Sequence, residues 1–271
     1  MAGQERLGII GAGRMAEALL RGWLGAGEFA REAVLAADVD ADRRRFFEDE
    51  LGVGVTEENA AVARHADVLL VAVKPQVLER VCRPVAGGLR VNALVISIAA
   101  GVRLERLAEV FGSDRAVLRV MPNILHTVGA GVAALCGNEV VTTEQTDHVL
   151  GLFRALGTAE VVEERLMDAV TGLSGSGPAF AAVFLEALAD GGVAAGLPRD
   201  LALPFAAQTV LGAAKWVLEG QQPAALKDLV TSPGGTTITG LRAAEAAGLR
   251  SAAIEAVVAA ARRSEELGRT G

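Results

Sequence analysis

Short, continuously apolar runs alternate with amphipathic stretches through the first half of the chain. Leu7–Ile10, Val34–Ala37, Val68–Val73, Leu94–Ile98 and Val117–Met121 are aliphatic on both faces, as buried parallel strands are. Between them, Met15–Ala26, Asp42–Leu51, Gln76–Val85 and Leu104–Phe111 place apolar residues at helical spacing. This alternation predicts a doubly wound parallel sheet with right-handed crossovers. Val132–Cys136 and a helix over Thr143–Ala155 are expected to extend the sheet at its edge.

From about Met167 onward the strand signals nearly vanish. Pro178–Ala195, Asp200–Glu219, Pro223–Val230, Thr237–Ala247 and Ser251–Leu267 all read as helices. Gly196-Leu197-Pro198 stops one of them, and Gly220 followed by Pro223 stops the next. Pro178 suits a first helical position, where a missing N–H costs nothing. The first of these helices is apolar around most of its circumference, with Phe180, Val183, Phe184, Leu185 and Leu188. A helix like that must be buried, so an oligomer whose helical halves pack on each other is expected. The domain boundary is placed between residues 163 and 164.

Composition narrows the classes. The 271 residues are 51% hydrophobic and 22% charged, which excludes a disordered chain or a coiled coil. Aromatics make up 4% and tyrosine is absent, so there is no tyrosine acid or base and little material for stacking nucleobases. A net charge of −7 argues against a nucleic-acid surface. Cys82 and Cys136 are isolated, which gives no disulfide framework and no metal site. Gln4, Glu5 and Arg6 lead straight into a strand, unlike a signal peptide. No apolar stretch approaches the roughly 20 residues that span a bilayer. A soluble, cytoplasmic protein with no membrane partner is expected.

Gly8-Ile-Ile-Gly11-Ala-Gly13-Arg-Met-Ala16 joins the first strand to the first helix. Gly11 permits the tight turn, Gly13 lets backbone approach a pyrophosphate, and Ala16 allows close packing of helix on sheet. In this setting the loop predicts a Rossmann-type dinucleotide site. Asp38 ends the second strand, where a carboxylate accepts hydrogen bonds from ribose hydroxyls and repels a 2′-phosphate. Arg43, Arg44 and Arg45 follow, either as a solvated helix face or as charges offsetting that repulsion. The balance favours NADH, with NADPH also accepted. Ala72-Val73-Lys74-Pro75 closes the third main strand, with Lys74 either meeting the cofactor or lying on the surface. Ser97-Ile-Ala-Ala-Gly101 ends the fourth with small residues that admit a flat ring or a pyrophosphate.

Two further loops, Ser174-Gly-Ser-Gly-Pro178 and Ser232-Pro-Gly-Gly-Thr-Thr237, each precede a predicted helix. Each gathers donors at a positive helix end, suited to a carboxylate or to ordinary capping. Lys227-Asp-Leu-Val-Thr-Ser-Pro-Gly-Gly-Thr-Thr237 closely resembles the signature segment of Δ1-pyrroline-5-carboxylate reductases. Ala72–Pro75, Val95–Gly101, Met121-Pro-Asn123 and Leu173–Pro178 match that family at its spacing, so the resemblance covers essentially the whole chain.

The resemblance implies a Rossmann domain over 1–163 and an all-α dimerisation domain over 164–271. It implies reduction of L-1-pyrroline-5-carboxylate to L-proline by NAD(P)H, the last step of proline biosynthesis. Dimers assembling into decamers, with active sites shared between subunits, are also implied. Carried over by position, Gly11, Gly13, Arg14, Met15, Ala16, Asn59, Ala72, Val73, Lys74, Pro75, Ala99 and Ala100 hold the cofactor, joined by Asp38 from the strand-end reading. Met121, Pro122, Glu164, Gly175, Ser176, Gly177, Ser232, Pro233, Gly234, Gly235, Thr236 and Thr237 lie near the substrate. Thr237 acts through a hydroxyl bonded to the pyrroline nitrogen.

Three departures stand out: Arg14 where the family loop often has Asn, Leu229 for an Asn of some members, and Ile124-Leu125 for Thr-Pro. A cyclic imine arrives largely protonated and needs no strong protein acid, so a chain without tyrosine suffices. His65, His126 and His148 are read as structural or surface groups. A β-hydroxyacid dehydrogenase is disfavoured, because Ser174–Glu186 contains no lysine base. A non-catalytic nucleotide sensor is disfavoured by the Ser232–Thr237 loop, since a sensor needs no second ligand site. A six-membered cyclic imine is harder to exclude as the substrate.

Overall fold

The computed structural model describes residues 5–270. Eight strands alternate with helices in its first part: β1 (Leu7–Ile10), α1 (Arg14–Ala26), β2 (Val34–Ala37), α2 (Ala41–Leu51), β3 (Gly54–Thr56), α3 (Asn59–His65), β4 (Val68–Val71) and α4 (Pro75–Ala86). Then follow β5 (Leu94–Ser97), α5 (Leu104–Phe111), β6 (Val117–Met121), β7 (Gly131–Gly137), α6 (Thr143–Arg154) and β8 (Gly157–Val161). The remainder is helical: α7 (Met167–Val170), α8 (Gly177–Ala194), α9 (Arg199–Leu218), α10 (Pro223–Leu229), α11 (Thr236–Ala246) and α12 (Leu249–Thr270).

The strands form one sheet in the order β3-β2-β1-β4-β5-β6-β7-β8. All pairs are parallel except β6 with β7. The order reverses between β1 and β4, which opens a crevice beyond their carboxyl ends. Both faces of the sheet are covered, so the apolar-on-both-sides reading of its strands holds. One layer gathers Leu19, Leu20, Trp23, Phe47 and Phe153, and the other Val62, Leu69, Leu78, Cys82 and Leu107. Trp23 is the hub of the aromatic-poor core. Its indole N–H donates to the Leu152 carbonyl at 2.8 Å, and its ring meets Phe29 and Phe153 edge-on.

Several expectations are corrected. β4 ends at Val71 and β5 at Ser97, with Ala72 and Ile98 each giving one last N–H to a neighbouring strand, the carbonyls of Ile10 and Val71, before the chain turns away. β3 and β8 were missed. β3 has only three residues, and β8 buries Ala159 alone, so neither carries a two-faced apolar run. α3 was also missed. It is a single short Ala-rich segment that Gly8 admits closely, since a Cβ there would stand 2.8 Å from Cγ1 of Val62.

Ser174–Pro178 is not a loop before a new helix. Helical backbone runs from Glu164 to Ala194, and Thr171–Gly175 is a wide π-turn inside it. Pro178 has no N–H to give the carbonyl four residues back, so the ladder must widen there. The expectation of a helix N-terminus at this motif is therefore overturned. So is the expectation that no segment is long enough to span a bilayer. Glu164–Ala194 and Arg199–Leu218 qualify by length and composition. The polar residues of the π-turn had divided the first of them when read as sequence.

The chain divides into two compact units. Residues up to Ser176, together with those from Ala259 onward, form the first, and Gly177–Val258 form the second. Within the first, the end of α12 is tied to α7: the Ser264 hydroxyl donates to Asp168 at 2.6 Å. Within the second, α8 and α9 pack through Ala189, Ala202 and Ala206. Phe180, Val183, Phe184, Leu188 and Phe205 remain exposed in the single chain.

Candidate cofactor and substrate residues

The crevice at the carboxyl ends of β1, β2, β4 and β5 collects most of the expected cofactor residues. Gly11 has φ +97°, and a Cβ there would stand 2.7 Å from the Ala72 carbonyl oxygen. Only glycine fits both demands. Gly13 caps α1 without any side-chain hydrogen bond, and a Cβ on it would meet nothing within 4 Å. The first-turn N–H groups of α1, at Arg14 and Met15, therefore face open space, while Ala16 is fully buried against the sheet. An uncapped helix start behind a glycine turn is a built anion cradle. Lys74 lies at the N-cap of α4 with Pro75 in its first turn. Asn59 begins α3, Ala99 is buried just beyond β5, and Ala100 is exposed.

Asp38 is held by two backbone donors, Ala12 N–H at 2.7 Å and Asp40 N–H at 2.9 Å. The three arginines after it are not one solvated face. Arg43 donates Nε to the Ala12 carbonyl at 2.7 Å and Nη2 to Glu17 at 2.8 Å, with Phe46 4.8 Å below it. Arg44 donates to the Asp38 carbonyl at 2.8 Å. Arg45 alone is well exposed, pairing with Asp42. Ala12 is thus gripped by Asp38 on its N–H and by Arg43 on its carbonyl, which stiffens the glycine loop.

Met121 ends β6 with Pro122 directly after it, and within the same unit Gly175 closes the π-turn beside Met121, followed by Ser176, while Gly177 opens the second unit. A Cβ on Gly175 would stand 2.6 Å from Met121 Cε. Glu164 accepts from Leu104 N–H at 2.7 Å and from Arg119 at 3.0 Å, both on Oε1. Its Oε2 has no hydrogen bond among the described residues. Ile124 and Leu125 sit exposed in a 3₁₀ turn over Ile124–Val128.

In the second unit, Ser232–Gly235 form a turn closed by Gly235 N–H on the Ser232 carbonyl at 3.0 Å, with Gly234 at φ +69°. Gly235 caps α11 with no side-chain bond, so Thr236 and Thr237 present uncapped N–H groups. Thr237 is half-buried. Leu229, one of the departures, is exposed.

The histidines and cysteines sit in structural surroundings. His65 bonds the Ala33 carbonyl at 2.9 Å, and His148 pairs with Glu5, which raises its pKa. Burial lowers the pKa of His126 to about 4 and pushes the thiols of Cys82 and Cys136 up to about 12 and 11. These thiols are unreactive at neutral pH. A cavity of about 600 Å³ around Asp67, Arg90 and His148 lies at the amino ends of β4 and β5, opposite the glycine loop.

Two residues carry structure for which the sequence pattern suggests no role. Arg119 is a charge buried within an apolar strand run, which is itself a legible signal. Asn123 is the third residue of Met121-Pro-Asn123, and one of its partners, the Ser174 carbonyl, lies 51 residues away in sequence.

Comparison with known proteins gives the family. Residues 164–267 match the family profile for pyrroline-5-carboxylate reductase dimerisation, and residues 6–101 match that for coenzyme F420-dependent NADP oxidoreductases. The chain is 50% identical over 265 residues to a pyrroline-5-carboxylate reductase of Synechocystis, covering 97% of this chain and 98% of that one. It is 41% identical to that of Escherichia coli, covering 98% and 100%. The crystal structure of Plasmodium falciparum pyrroline carboxylate reductase with NADP bound superposes with a TM-score of 0.89 at 32% identity, covering 99% of each chain. The chain belongs to the pyrroline-5-carboxylate reductase family of oxidoreductases.

Proposed function

We propose that this chain reduces L-1-pyrroline-5-carboxylate to L-proline, with the two uncapped helix starts as its working parts. The observation that carries the reading is that one chain of this family holds both the α1 glycine cradle and, in its other unit, the bare N-terminus of α11. The cradle fits a dinucleotide pyrophosphate, and Ala72–Pro75 and Ala99-Ala100 flank it. When bound, NAD(P)H supplies the hydride. The N–H groups of Thr236 and Thr237 suit the substrate carboxylate. The Thr237 hydroxyl orients the ring nitrogen. As the imine carbon receives hydride, the C=N electron pair settles on the protonated nitrogen. The product amine then takes a proton from solvent. The protein's contribution is to position and to bind.

Thr237→Ala is expected to lower kcat roughly 10- to 100-fold, the scale of one lost orienting hydrogen bond. Thr237→Ser should retain most of the rate. An unchanged rate in a folded Thr237→Ala protein would overturn the assignment.

The cofactor is proposed to be NADH in preference, with NADPH accepted. Asp38 presents a carboxylate at the ribose end, and Glu17 neutralises Arg43. Asp38→Asn should raise the ratio of kcat/KM for NADPH over NADH about tenfold, the effect of removing one nearby charge. A wild-type kcat/KM for NADPH ten times that for NADH would reverse this reading.

Self-association is proposed through the apolar residues exposed on α8 and α9, forming dimers that build decamers. A cytoplasmic location, with neither membrane nor nucleic acid as partner, completes the proposal.

A further inference from the structure

We infer that Asn123 is a positioning residue for the reaction, fastening the π-turn at 171–175 to the carboxyl end of β6. This rests on the reading above that Gly175–Gly177 lie near the substrate. Asn123 is only 4% exposed, yet every bond of its amide is directed. Its Oδ1 accepts from Leu125 N–H at 3.1 Å and from Val132 N–H at 3.3 Å. Its Nδ2 donates to the Ser174 carbonyl at 3.0 Å.

That carbonyl is the one left over by the helix. An α-ladder would satisfy Ser174 with the N–H of residue 178, and residue 178 is proline. The backbone widens instead, with Ser176 N–H reaching the Thr171 carbonyl at 2.9 Å. Within the turn, the hydroxyls of Thr171 and Ser174 fold back onto the carbonyls of Met167 and Val170 at 2.8 and 3.0 Å. None of these bonds serves Ser174's own carbonyl, whereas Asn123 does. The neighbouring Gly175 is small enough to lie against Met121. Two consecutive residues of the turn thus register on the end of one strand, through one amide and one close contact. Left without a partner, this partly buried carbonyl would destabilise the turn.

Positional errors of about 1 Å in such a constellation cost on the order of 100-fold in rate. Asn123→Asp keeps the acceptor for Leu125 and Val132 but replaces the donor facing Ser174 with an oxygen. We expect a 30- to 100-fold loss of kcat, with the KM for the nicotinamide cofactor changing less than threefold. Pro178→Ala in that background gives residue 178 an N–H for the Ser174 carbonyl, and should recover at least tenfold of the lost kcat. A loss of thermal stability with kcat intact, an equal rise in cofactor KM, or no recovery in Asn123→Asp/Pro178→Ala would each overturn the inference. If Asn123→Asp does not fold, the double variant carries the test: it must fold and turn over within tenfold of wild type. If wild type does not reduce pyrroline-5-carboxylate, the functional reading fails instead. Recovery of the unfolding temperature by Pro178→Ala in the Asn123→Asp background then still tests the link.

Discussion

Glu164→Ala is expected to lower the free energy of unfolding by about 3 kcal/mol, the low end for removing one partner of a buried ion pair. The Arg119 side chain is 6% exposed and that of Glu164 32%, so the guanidinium is the group stranded. The same carboxylate oxygen also satisfies Leu104 N–H in the first turn of α5, which no side chain at its N-cap serves. The alanine variant therefore loses a charge pair and a helix cap together. Glu164→Gln retains an oxygen for both donors and should keep at least half of the stability. Urea unfolding midpoints at constant m-value measure both variants. Equal destabilisation by alanine and glutamine would show that packing, rather than the shared acceptor, matters here. The pair also separates structure from chemistry: a stable Glu164→Gln with a raised KM for the imine would place Oε2 at the substrate.

Acid should destabilise the protein through His126. Both ring nitrogens are buried without a hydrogen-bond partner, and the ring lies against Phe153 with centroids 5.7 Å apart. Burial holds the folded-state pKa near 4, whereas the unfolded chain takes up the proton near 6.5. Between those values the unfolded state binds more protons than the native state, so stability falls as the pH drops from about 6.5 to about 4. Above about 6.5 the group contributes nothing to the pH dependence. The full loss is roughly 3 kcal/mol. His126→Leu removes the titration and two unsatisfied nitrogens, so its stability should fall less between pH 7 and pH 4.5. Asp67 also contributes at acid pH, because Arg6 lowers its pKa. That contribution is common to both proteins and cancels in the comparison. Parallel curves for wild type and His126→Leu would refute the assignment to His126.

Much of the molecule was legible because the decisive signals are local. Leu7–Ile10, Val34–Ala37 and Val117–Met121 emerge as strands with the predicted bounds, since a strand buried on both faces reads as a nearly continuous apolar run, with Arg119 the one charge among these three. The glycine loop was legible because Gly11 and Gly13 answer demands of one turn. β3 and β8 were not, being edge strands with little buried surface. Arg43 was misread because Glu17 and Ala12 lie 26 and 31 residues away, and no charge pattern on α2 announces them.

The amino-acid sequence alone determined the alternating sheet, the anion cradle at α1, the glycine turn before α11 and the family to which they belong. Each follows from residue size, backbone freedom or periodicity within a short stretch. Only the tertiary structure decided what Ser174–Pro178 is. Proline removes a donor wherever it stands, but whether the orphaned carbonyl ends a helix or finds another partner depends on what the fold brings beside it. Here the partner is Asn123, 51 residues away, and the helix continues through a π-turn. The same reason governs Glu164 and Arg119: a buried charge is tolerable only where folding delivers its counter-ion.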